Sequence, residues 1–512
     1  RMTVRRGLAA LVAALLASGC ARAPREDRAR PLRVLARGEF TSLDPHASFD
    51  DTSAFVLGNL FEGLVRFDAQ LRLRPALARS WINPDDRTWR FYLDGGARFA
   101  DGAALRGADV KFSIERLRSL AGSQLTGFVR QVTRVVVVDD TTVDVHTAAP
   151  VAVLNSLALV PIVSERHARA VGGRMGREPL GTGPYRLVAW EPGRSVVLEA
   201  NPHRRPAPAF ARVEVRLREA DRFLEEMRGD PPDLALFFPR SRLAELAQDV
   251  PEDMDVRRAE GLAVYYLTFN LRARLPGRSA SNPLRDHRLR RALSSALDRS
   301  ALARGPWQGL AVPASQLVTP PVFGFDPAVP PVAQDAAAAR RLLTEAGHPV
   351  LSVALLAAAE SHPLEDAIAE QWRAAGVEAR LDERPSAAVQ EALAAGDFQV
   401  GVEGYGCTSG DASELLTYML HTRDDGAGLG PGNTAAYGNP EVDRLADLNL
   451  RILEARERLP LLRRALRLAD ADLAYAPLVA AQDVYVVSRR LRFTPPVHGE
   501  VRLDEVGWAA RR

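Results

Sequence analysis

The sequence predicts an α/β protein built as two lobes, and three observations predict it. Strand-like and helix-like patterns alternate through the second half of the chain, as they do where helices cover a sheet. Two β-branched and aromatic runs, residues 264–269 within the stretch Gly261 to Asn270 and residues 483–488, stand at the two ends of that half. Each is too short for a helix and rich in strand formers. The length, 512 residues, exceeds what a single core fills, so two or three domains are expected. We read the two runs as crossings between lobes, with a site between the lobes close to Tyr265, Tyr266, Asn270 and Tyr485; two ordinary core strands fit the same pattern.

The composition narrows the classes of function. A hydrophobic content of 46% with 26% charged residues is that of a soluble globular chain, and a net charge of +3, with Arg interleaved among Asp and Glu, leaves no nucleic-acid footprint. The cysteines, Cys20 and Cys407, sit in different contexts and are not expected to pair. Cys20 closes an N-terminal pattern: Arg5 and Arg6, an apolar stretch over residues 8–17 too short to span a bilayer, then Leu16-Ala-Ser-Gly-Cys20. The pattern resembles a bacterial lipoprotein signal over residues 1–20, which implies cleavage before Cys20 and a lipid on it; Ala17 stands where such signals usually carry a larger aliphatic residue. Arg1 ahead of Met2 places the expected start at Met2, and residues 21–30, charged and without an apolar run, read as a disordered tether.

Past the tether, residues 32–36 read as a first strand. A turn at Ser42-Leu-Asp-Pro-His46 follows, then a helix from Thr52 with Val56, Leu60 and Leu64 on one face. Residues 65–67 and 88–93 read as strands, residues 109–117 as a helix capped by Asp109, and residues 135–138 with 143–146 as a hairpin. In Gly181-Thr-Gly-Pro-Tyr185 the glycines let the backbone enter tightly before two alternating strands, 185–190 and 195–200, joined by the Glu191-Pro-Gly193 turn. Further on, Asp286 caps a helix striped by Leu289, Leu293, Ala296 and Leu297. A second helix over 336–346 ends at Gly347, with Pro349 beyond.

The order of these pieces carries a resemblance. From Leu43-Asp-Pro-His46 through Asn59-Leu-Phe-Glu-Gly-Leu-Val-Arg-Phe-Asp68, Arg74-Pro-Ala-Leu-Ala-Arg-Ser-Trp81 and Gly181-Thr-Gly-Pro-Tyr185 to Tyr266-Leu-Thr-Phe-Asn270, 289–299, 338–347, 367–381 and 396–405, the chain resembles the extracytoplasmic solute-binding proteins of the oligopeptide, dipeptide and nickel branch that serve ABC importers. The resemblance implies a two-lobed periplasmic-binding-protein fold with two hinge strands. Lobe I would comprise residues 31–64, 180–268 and 483–512, an insert domain on it residues 65–179, and lobe II residues 269–482. It further implies a monomer in the periplasm or on the cell surface, lipid-anchored through Cys20, that traps a small solute and hands it to permease subunits. No cofactor, metal or nucleic acid is implied. A sensor or chaperone of the same fold, uncoupled from transport, is the alternative.

The resemblance also nominates ligand contacts: Phe49, Asp50 and Asp51 after the first turn; Tyr405, Gly406, Cys407 and Thr408 after the strand ending near Gly404; and Tyr266, Asn270 and Tyr485 at the hinge. Peptide binders of the family usually carry Trp where this chain has Tyr405 and, three residues later, an Asp that pairs with the peptide amine. Here that position is Thr408, and a neutral hydroxyl does not replace a carboxylate opposite an ammonium. Asp411, Asp50 or Asp51 could substitute, or the solute lacks an amine, as a sugar, opine-like compound or metal chelate would. Plainer roles fit several of these residues: Tyr405 as a cleft-edge core aromatic, Asp411 as the cap of a helix over 412–420, Cys407 as a small buried apolar residue, and only one of Tyr265 and Tyr266 toward the cleft. An enzyme is not expected. The nine histidines lack zinc-hydrolase spacing, no Gly-x-Ser-x-Gly elbow occurs, and the glycine-rich 426–433 stretch fails both nucleotide-loop spacings.

Overall fold

In a computed structural model the structure describes residues 30–509 apart from 48–49, 121, 239–244, 246–249 and 277–279. The expected signal peptide, the tether up to residue 29, Cys20 and Phe49 therefore lie outside the described residues.

One eleven-stranded sheet runs through the molecule. At one end are Glu378–Arg384, Ser352–Ala358 and Val400–Gly406; at the other are Leu234–Leu236, Leu32–Arg37, Arg212–Arg218, Ser195–Ala200 and Tyr185–Glu191. Between them lie Met254–Phe269 and Tyr475–Ser488, paired antiparallel. The two runs noted in the sequence are the ends of these much longer strands, whose remaining halves alternate less cleanly and so escape a periodicity reading. Each strand belongs to both ends of the sheet. Residues 254–260 pair only with residues 482–488, beside Leu234–Leu236, whereas residues 263–269 also pair with Val400–Gly406. The register breaks at the changeover: Glu260 faces Gln482 and Val264 faces Ala480, so residues 261–263 stand opposite Ala481 alone. A Cβ on Gly261 would lie 2.8 Å from the Ala481 carbonyl oxygen, so glycine is needed where the strands press together.

Separate cores flank this joint. Leu32, Val34, Phe55, Tyr185, Phe210, Val213 and Val487 belong to one; Phe269, Leu289, Leu293, Leu355, Ile368, Trp372 and Val400 to another. A third fills residues 64–162, where Ala78–Asp85, Thr88–Leu93, Thr142–Thr147 and Val132–Asp139 form an antiparallel sheet of their own, covered by the helix Gly107–Ser119. The motif around His46 joins the first segment to this body. Arg116 binds Asp44 through both oxygens, at 3.0 and 2.5 Å, and donates to His46 Nδ1 at 2.8 Å, while His46 Nε2 donates to the Pro161 carbonyl at 2.9 Å. Burial pushes His46 down to about 4, which keeps the ring neutral, as this bonding pattern requires.

Three local expectations change. The helix from residue 51 stops at Leu60 rather than carrying Leu64, because Phe61 turns extended. Asp109 is not the cap of its helix but lies three residues in, where its carboxylate accepts from the Arg106 backbone N–H at 2.9 Å. Residues 412–420 are one short α-turn, Ser413–Leu415, followed by a wider π-type turn, Leu416–Leu420. The glycines of Gly181-Thr-Gly183 lie against the end of the first helix: Gly183 N–H donates to Leu60 O at 2.9 Å, and a Cβ on Gly183 would come within 2.5 Å of the Leu60 carbonyl carbon.

Candidate functional site

A cavity of about 720 Å³ opens at the strand crossing. Gly261, Leu262, Ala263, Ala481, Gln482 and Asp483 form its back wall, so the register break is also the floor of the cavity. Apolar surface comes from Phe55, Phe61, Phe237, Tyr265, Trp307 and Leu310; Tyr265 and Trp307 meet edge to face with centroids 4.6 Å apart. The residue 64–162 body contributes Leu125, Ala158 and Leu159, and the opposite end of the sheet contributes Gly406 and Thr408. Asp51, Asp483 and Glu500 line the same space as Arg37 and Arg502, so both signs of charge face it.

Of the nominated residues, Asp51, Gly406, Thr408 and Tyr485 line this cavity. Tyr485 is nearly buried, its hydroxyl donating to the Pro496 carbonyl at 3.4 Å; burial, then the Asp483 and Asp51 charges, push its ionisation well up. Asp50 is the helix cap, accepting from Ser53 N–H at 2.9 Å and Ser53 Oγ at 2.6 Å. Tyr266 faces away, its hydroxyl donating to Met419 Sδ at 3.1 Å and its ring against Tyr475; the strand alternation instead sends Tyr265 to the cavity. Asn270 is fully buried: its amide donates to the Gly396 and Phe398 carbonyls at 2.8 and 2.9 Å, and its oxygen accepts from Arg272 N–H at 3.1 Å. It is a brace for the loops at the strand's end and does not reach the cavity.

Residues 405–411 form a self-contained knot. Tyr405 stacks on Tyr418, and its hydroxyl donates to Glu414 Oε1 at 2.8 Å. Thr408 Oγ1 donates to the same oxygen at 3.3 Å, and Ser409 N–H donates to Glu414 Oε2 at 2.7 Å. Cys407 is buried with its thiol toward the Asp411 carbonyl at 3.1 Å, and burial holds that thiol protonated. Asp411 is spent inside its own lobe: Arg458 Nη2 lies 2.8 and 2.7 Å from its two oxygens, and Ser413 N–H donates to it at 3.0 Å. Asp411 is not among the residues that line the cavity.

Trp307, Phe237, Gln482, Asp483, Arg37 and Glu500 went unnominated. Asp483 sits two residues from Tyr485 in the same strand, but residues 481–485 all border the cavity, so proximity to Tyr485 along the chain, and not alternation, is the signal that could have found it. Trp307 carries no local signal, because only the packing of its loop against Tyr265 brings it there.

Comparison with known proteins follows this geometry. The chain is 26% identical over 458 residues to the probable D,D-dipeptide-binding periplasmic protein of Escherichia coli K12, covering 85% of this chain and 86% of that one. It is 25% identical over 511 residues to the glutathione-binding protein GsiB of Escherichia coli O1:K1, covering 96% of each. In fold it matches the solved substrate-binding protein CtaP of Listeria monocytogenes, with a TM-score of 0.80 at 20% identity over 94% of this chain and 99% of that one. The family model "Bacterial extracellular solute-binding proteins, family 5 Middle" matches residues 72–427. That match spans more than half of the chain, and the chain belongs to the family 5 bacterial extracellular solute-binding proteins.

Proposed function

We propose that this protein is the solute-receiving component of an ABC importer, and that its cavity closes over a peptide or peptide-like solute for delivery to a membrane permease. The observation that carries the reading is the cavity at the strand crossing, walled by residues from both ends of the sheet. Its volume falls within the roughly 300–1,000 Å³ that hold small ligands. Charges of both signs beside aromatic surface suit a solute with an ammonium, a carboxylate and apolar side chains. The relatives named for a D,D-dipeptide and for glutathione support the same class. We further assign lobe I, the insert and lobe II close to the sequence-derived boundaries, except that the insert ends near residue 162 rather than 179, because Val163, Ala168, Val171 and Met175 pack into the lobe I core, and we assign the membrane tether to a lipid on Cys20.

The test is a thermal-shift screen of the protein from Ala21 onward, refolded to strip carried-over ligand, against di- to pentapeptides, sugars, opines and metal chelates. A solute at a hundred times its dissociation constant adds about 2.7 kcal/mol. Stabilisation by peptides is the expected result. Stabilisation only by amine-free solutes overturns the peptide assignment, and no stabilisation by any class overturns the importer reading.

A further inference from the structure

The knot at residues 405–411 does two things at once. Toward the cavity it presents Gly406 and Thr408. Toward the residue 64–162 body it presents the Ser409 carbonyl, which accepts from Asn155 Nδ2 at 2.7 Å, and Gly410, against which Leu71 packs. Asn155 belongs to the short helix Leu154–Ala158, whose last residue, with Leu159, lines the cavity from the other side. The two bodies thus meet beside the solute space, and Arg130, donating to the Gly428 carbonyl, adds a second contact.

One carboxylate holds this knot in shape. Glu414 takes the Tyr405 and Thr408 hydroxyls on one oxygen and the Ser409 N–H, with the Cys407 thiol at 3.8 Å, on the other, four donors from a five-residue stretch converging on one side chain. Ser409 is engaged on both faces of its backbone, its N–H by Glu414 and its carbonyl by Asn155. We propose that Glu414 is the positioning residue that couples solute contact to lobe closure, because it fixes in a single arrangement the residues that face the solute and the carbonyl that receives the insert domain. This rests on the reading that the cavity receives the solute.

The experiment is a double-mutant cycle of Glu414→Ala and Asn155→Ala, read by melting temperature and by affinity for the tightest solute of the screen. Losing the charged acceptor is expected to weaken solute affinity about tenfold or more. Because both residues act on Ser409, the two substitutions should be non-additive in both readouts. Sodium acetate, but not chloride at equal ionic strength, should restore part of the Glu414→Ala loss by supplying a carboxylate to the vacated donors. Glu414→Gln, which keeps one acceptor oxygen, should fall between and serves if the alanine variant does not fold. Additive effects, or wild-type affinity in Glu414→Gln and Glu414→Ala, overturn the proposal. If the screen yields no solute, the transport reading falls, and additivity or its absence in the melting cycle still decides whether Glu414 acts through Ser409.

Discussion

Changing Asp411 to Asn separates a structural carboxylate from a ligand-binding one. Asp411 and Arg458 are each over nine-tenths buried in their side chains, joined at 2.7 and 2.8 Å, with the guanidinium also 5.5 Å from the centre of the Phe323 ring. Removing one partner of a buried pair leaves the other charge uncompensated and typically costs about 3–5 kcal/mol. Asn keeps one oxygen, which can still accept from the Ser413 N–H and from Arg458 as Oδ1 does, but it loses the charge and the second acceptor, so about 2–4 kcal/mol is expected. For a folding unit of about 200 residues that is a fall in melting temperature of about 5–15 °C. The assay pairs calorimetry with binding of a tripeptide carrying either a free or an acetylated N-terminus. The structural role predicts a lower melting temperature and an unchanged ratio of the two affinities. A variant that melts like wild type but no longer distinguishes the free from the acetylated peptide would refute the reasoning, since only a carboxylate in the cavity reads the ammonium.

Three further predictions follow from single observations. Gly183→Ala must push its Cβ off the Leu60 carbonyl, 2.5 Å away, and break the Gly183–Leu60 hydrogen bond, so we expect a loss of about 2–3 kcal/mol by urea denaturation. Asp470 has both carboxylate oxygens buried without a hydrogen-bond partner among the described residues, and burial pushes it up from its ordinary value to about 7. The folded state thus holds the proton more tightly than the unfolded chain, and stability is lost as pH rises from about 4 through 7; Asp470→Asn should gain about 1–3 kcal/mol at pH 8 and nothing at pH 4 in melting curves taken at both. Trp307→Ala removes an aromatic wall of the cavity beside Tyr265, and calorimetric titration with the tightest solute should show affinity reduced by about 1–3 kcal/mol.

Much of this protein was legible in its sequence, and the reason is locality. Strand and helix patterns, the Asp286 helix cap, the tight entry at Gly181 and Gly183, and the two runs that cross between lobes all rest on interactions within a few residues or on side-chain period. The resemblance, carried by short ordered motifs, led to the family and thereby to solute binding. Which of the nominated residues face the cavity was decided only by tertiary structure. Tyr265 and Tyr266 are neighbours with opposite fates, and the choice between them depends on the register of a strand broken at residues 261–263 by a partner more than two hundred positions away. Asp411 looked available until Arg458 was folded against it, and Glu414, one more acidic residue in the sequence, became the centre of the residue 405–411 loop because a turn of backbone brought four donors to its carboxylate. Local chemistry determines which elements form, whereas partners far apart in the chain, meeting where water is excluded, determine which polar groups are committed to the fold and which are left for a solute.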